Sequence, residues 1–88
     1  MPVYMVERDL KGIQMNDLAA AQKLAIKKSE DYSNQGTPMR YIRSTFAPDD
    51  GRCMCLFEAN SAEDVRRLND EANIPYRRVV EALDLTPA

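Results

Sequence analysis

Residues 48–51, Pro-Asp-Asp-Gly, separate two short runs, 39–47 (MRYIRSTFA) and 52–59 (RCMCLFEA). Proline presets one turn dihedral, aspartate bonds to its own backbone, and glycine accepts a positive φ. The flanking runs are rich in Tyr, Ile, Thr and Phe, which favour a pleated strand. A β-hairpin at the middle of an 88-residue chain constrains the remainder, because everything else must pack on it. Upstream, 2–10 (PVYMVERDL) reads as a strand and 15–34 as a helix, with Leu18, Ala21, Leu24, Ala25, Lys28 and Tyr32 on one stripe. Asn16, or less favourably Gln14, is the expected cap, Gly36 ends the helix and Pro38 forbids its continuation. Downstream, Ser61 caps a second helix with Asp64 three residues on, and Val65, Leu68 and Ala72 form its inward stripe. Ile74-Pro75 ends that helix, and 77–85 (RRVVEALDL) reads as a last strand. The order β-α-β-β-α-β, with right-handed crossovers, gives an α+β, ferredoxin-like sandwich: an antiparallel sheet with both helices on one face. Residues 1–88 are expected to form one domain.

Composition narrows the chemistry. The chain has no histidine, which removes Ser-His-Asp and Cys-His triads, HExxH zinc sites and imidazole shuttles. Any metal site then falls on sulfur and carboxylate. Twelve basic and fourteen acidic residues do not favour binding to a nucleic-acid backbone. The N-terminal MPVYMVERD lacks the pattern of a secretory signal, and no window is apolar enough for a membrane span. The only thiols are Cys53 and Cys55. On a strand they face the same way with Cβ atoms about 6.6 Å apart, whereas a disulfide needs about 3.8 Å. Free, reduced cysteines fit a cytoplasmic protein.

The sheet face without helices is the expected location of function. Alternation assigns Ile42, Phe46, Met54 and Leu56 to the helix side. It assigns Tyr41, Arg43, Cys53, Cys55 and Phe57 to the open side, joined by Met5, Glu7, Val79 and Glu81. So apolar a face calls for a partner, and a homodimer needs only one self-complementary surface. Two constellations stand out there. Cys53 and Cys55 are candidate ligands for a soft metal, or a nucleophile, against the simpler reading of small buried apolar residues. Glu7, Tyr41, Arg43 and Glu81 are a candidate pocket for a small molecule, against the simpler reading of an ion-pair network at an interface.

The segments YMVER (4–8), RYIRSTF (40–46), GRCMCLFEA (51–59) and VVEALDL (79–85) together resemble a small bacterial family once of unknown function and described as nickel-binding protein-like. The similarity spans nearly the whole chain. It implies a ferredoxin-like fold, a homodimer and bound nickel in part of the family. The expected function is therefore a small non-catalytic metal-binding protein, with nickel as the metal. The alternative is a dimeric small-molecule binder or minor enzyme that uses the open-face pocket.

Overall fold

The computed structural model describes residues 1–87. The hairpin is present: strand β2 (Met39–Ala47) pairs antiparallel with β3 (Arg52–Ala59). Strand β1 (Val3–Asp9) pairs antiparallel with β3 on one side and with β4 (Arg78–Ala82) on the other. The strand order is β2-β3-β1-β4, so the two crossovers place β1 and β3 at the centre. Helix α1 spans Met15–Asn34 and α2 spans Ala62–Glu71. This is the β-α-β-β-α-β sandwich that the sequence predicts. The last strand is shorter than expected, five residues.

The helix termini follow local chemistry. Ser61 accepts a hydrogen bond from the Asp64 backbone N–H at 3.2 Å, as the capping pattern predicts. Gly36, just past α1, adopts φ 94°. At the other end of α1 the cap is Gln14, not Asn16, and its side chain makes no capping bond. The two helices are joined by Tyr32, whose hydroxyl donates to Glu71 and whose ring lies 5.1 Å below the Arg67 guanidinium.

The faces of the sheet differ from expectation on three strands. Cys53, Cys55 and Phe57 point into the core under the helices, and Met54 and Leu56 lie half-buried on the open face. On β4, Val79 is buried opposite Val6, and Glu81 stands opposite Tyr4, so both belong to the helix side. On β2, a register shift between Tyr41 and Arg43 resets the alternation. Tyr41, opposite Phe57, therefore shares the helix side with Ser44 and Phe46, and Arg43, opposite Leu56, remains on the open face as expected. Met5 and Glu7 also lie on the open face, where their neighbours on β3 are Leu56 and Met54.

Beyond β4 the chain turns across that open face. Asp84 accepts a hydrogen bond from Arg43 at 2.5 Å, although β2 and β4 are opposite edges of the sheet. The turn at Gly51 fixes how the hairpin meets β1. Gly51 has φ 76°, its carbonyl accepts from the Leu10 N–H at 2.7 Å, and a Cβ there would sit 2.3 Å from the Lys11 Cα. Gly51→Ala is therefore expected to lower stability by about 2–3 kcal/mol, measured by urea unfolding, whereas Gly36→Ala, with open space around its position, costs less.

Candidate functional site

The site begins with a charge in the core. On β1, Tyr4, Val6 and Arg8 face the helices, and Arg8 is 4% exposed. Its guanidinium donates to Asn69 Oδ1 at 2.7 Å, to the Pro75 carbonyl at 3.2 Å and, through Nε, to Cys55 Sγ at 3.3 Å. Asn69 is held in turn by its own bond to the Val65 carbonyl at 2.8 Å, one turn back along α2. None of these Arg8 partners is a carboxylate. A buried guanidinium without a counter-charge is costly, and among the groups hydrogen-bonded to Arg8 the one that can become an anion is the Cys55 thiol.

Cys55 is surrounded by donors. Ser44 Oγ donates to its sulfur at 2.9 Å, and the Cys53 thiol lies 3.9 Å away. Since the single Ser44 hydroxyl proton goes to Cys55, the Tyr41 hydroxyl donates to Ser44, and Gln22 donates to Tyr41 at 3.0 Å. A chain of donors thus runs from Gln22 at the surface to Cys55, every member oriented toward the sulfur, and such chains polarise cooperatively. The Cys53 hydrogen bond, the Arg8 charge and the Ser44 hydroxyl together outweigh desolvation and pull the Cys55 thiol down to about 5. Cys53 moves the opposite way, raised by its bond to the Cys55 thiolate, by burial and by repulsion between the two sulfurs. The surroundings favour Cys55 over Cys53 as the sulfur that ionises, with the Cys53 thiol as a hydrogen-bond donor to it.

This thiolate forms the floor of a cavity of about 180 Å³ between α1 and the sheet. Leu10, Leu18, Ala21, Ala25, Phe46 and Ile74 form its walls, and Gln22 and Tyr41 also line it. Tyr41 is held edge-on against Phe57, with ring centroids 5.5 Å apart. The arrangement is an apolar chamber with a single ionised sulfur at its base.

Of the residues expected to matter, Cys53, Cys55 and Tyr41 come together here, on the face opposite to the one predicted. Glu7, Arg43 and Glu81 do not. Glu7 is paired with Arg78, which holds its carboxyl below the usual range. Arg43 is paired with Asp84 on the open face, and Glu81, although on the helix side, is exposed on the edge strand β4 and does not line the cavity. The sequence reading missed Arg8, Ser44 and Asn69. One signal for Arg8 was available: Glu7 and Asp9 take the outward positions on either side, which leaves Arg8 on the face of Tyr4 and Val6.

For a divalent metal this site offers two sulfurs, Cys53 and Cys55. No group of three or more His, Cys, Asp or Glu stands together among the described residues. The Arg8 guanidinium, in contact with the ionised sulfur, opposes a second cation there.

The lowered Cys55 thiol has a consequence for stability. Between about pH 5 and the ordinary thiol value of 9.0, the unfolded chain binds more protons than the folded one, so stability rises with pH and is lost as pH falls through the window. Urea unfolding from pH 5 to 8.5 is expected to show this rise in the native chain and a flatter profile in Cys55→Ser.

Comparison with known proteins agrees with the fold. The crystal structure of SCO4226 from Streptomyces coelicolor A3(2) superposes with a TM-score of 0.79 over 96% of this chain and 99% of that one, at 21% identity. No curated protein matches the chain. The family model described as nickel responsive protein SCO4226-like matches residues 4–82. The chain belongs to the SCO4226-like family of nickel responsive proteins.

Proposed function

We propose that the protein binds a small, uncharged, largely apolar molecule in the chamber between α1 and the sheet. The observation that carries this reading is the cavity itself, about 180 Å³, with apolar walls and a polar floor whose donors are already engaged. Native cores are close-packed, and voids larger than a water molecule are few. An apolar cavity of roughly 150 Å³ is large enough for a six-membered ring. An anionic ligand is disfavoured, because it would meet the Cys55 thiolate.

Nickel capture by Cys53 and Cys55 is the second reading, drawn from the family's description and from the 3.9 Å separation of the two sulfurs. That spacing is close to the roughly 3.8 Å expected for two thiolates on one tetrahedral ion with metal–sulfur bonds of about 2.3 Å. Arg8 and the lack of further donors weigh against it. Titration with two probes, cyclohexanone and nickel chloride, separates the readings. Cyclohexanone is expected to give saturable NMR shifts at Ala21, Ala25 and Phe46 with about millimolar affinity, lost in Ala21→Phe. Nickel is expected to give no thiolate-to-metal absorption. A nickel band abolished by Cys53→Ser and Cys55→Ser, with no response to cyclohexanone, would transfer the function to metal capture.

We further propose that the protein acts as a homodimer through the open sheet face. Val3, Met5, Met54, Leu56 and Val80 lie there half-buried, and neither helix packs on that side of the sheet. An apolar surface of this kind marks an interface, and an isologous contact closes it. Sedimentation at micromolar concentration is expected to give a dimer, and Leu56→Glu a folded monomer.

A further inference from the structure

The cavity and the donor cluster carry a chemical inference that rests on the pocket reading above. We propose that Cys55 is a nucleophile that captures small α,β-unsaturated carbonyl compounds entering the chamber, forming a thioether at its Sγ.

Three features of the geometry support this. First, the sulfur is held as an anion by Arg8 at 3.3 Å and Ser44 at 2.9 Å, and the thiolate is the nucleophilic form of cysteine. Second, it faces a chamber with apolar walls of Leu10, Leu18, Ala21 and Phe46, which concentrates a soft organic electrophile over a polar one. Third, the second thiol cannot act as a resolving partner. Cys53 and Cys55 share one face of the central strand β3, whose neighbours on both sides are hydrogen-bonded. Bringing two such Cβ atoms from about 6.6 Å to about 3.8 Å would break that pairing. The pair is thus arranged for adduct formation, not for cycling through a disulfide.

The step balances without a further reactant. The Cys55 sulfur donates a lone pair to the β-carbon, a C–S bond forms, and the C=C π pair shifts to leave an enolate. The enolate takes a proton from water. The hydroxide so formed is neutralised by the proton that Cys55 gave up to solvent when it ionised. No oxidation occurs, and the protein gains the mass of one intact enone. Arg8 and Ser44 are positioning residues in this scheme: they hold the sulfur ionised and aimed into the chamber.

The test uses the full chain with 2-cyclohexen-1-one, followed by intact mass and peptide mapping, beside its saturated, unreactive counterpart cyclohexanone. One adduct is expected, on Cys55, retained in Cys53→Ser and absent in Cys55→Ser. Its rate is expected to be level from pH 6 to 8. An ordinary thiol instead gains about tenfold per pH unit there, and Ser44→Ala is expected to move toward that slope, as is Arg8→Gln if it folds. Ala21→Phe, which puts an apolar ring into the chamber and replaces none of the donors, is expected to cut the rate at least tenfold while leaving thiolate absorbance unchanged. If cyclohexanone binds but the enone adds to neither cysteine, the nucleophile proposal falls and the pocket stands. If neither compound binds nor reacts, both fall. Equal labelling of the two cysteines, or a rate that climbs tenfold per unit in the native chain, also overturns the proposal.

Discussion

The buried charge of Arg8 governs the interior of this molecule. A guanidinium at 4% exposure must spend its donors on fixed acceptors, and each acceptor belongs to a different part of the fold. Asn69 is on α2, the Pro75 carbonyl is in the segment leading to β4, and Cys55 is on β3. One side chain thereby ties a helix, a connection and the central strand to β1. The same ties orient the sulfur. Structure and reactivity draw on one set of hydrogen bonds, so the site is as rigid as the core, and neither can be altered alone.

The arrangement also explains a composition that looked unpromising. Without histidine, the chain has no ready proton-transfer group near neutral pH. A cysteine held by the Arg8 cation, the Ser44 hydroxyl and the Cys53 thiol instead supplies a group that is ionised at neutral pH by environment alone. The two sulfurs, chemically identical in the sequence, take opposite roles because Arg8 and Ser44 hydrogen-bond to Cys55, whereas Cys53 feels the Arg8 charge without such a bond.

Element order, the hairpin, the span of α1 and the Ser61 cap were legible because each rests on local chemistry: turn residues, periodicity and a single side-chain bond. The orientation of β3 was not. Period-two alternation says that Cys53, Cys55 and Phe57 share a face and that Met54 and Leu56 share the other. Both sets are apolar, so the pattern does not say which set faces the helices. The register shift after Tyr41 is likewise invisible in sequence, since no glycine or proline marks it. These two ambiguities displaced the candidate site from one side of the sheet to the other. The thiols and Tyr41, singled out from the sequence, lie together in the fold, and the residues that contact Cys55 were not foreseen, because Arg8 reads as a surface charge until its neighbours are placed.

The segment after β4 has a consequence for the open face. Asp84 is anchored to Arg43, and Leu83 and Leu85 on either side of it are 79% and 84% exposed. The chain's own tail, with two exposed leucines, therefore lies at the margin of any contact made on that surface. The latch is an ion pair with the Arg43 side chain half in solvent, a contact of about 0–1 kcal/mol. Its grip weakens as ionic strength rises. The position of those leucines is thus sensitive to salt, whereas the sulfur cluster on the other side of the sheet is buried and is not.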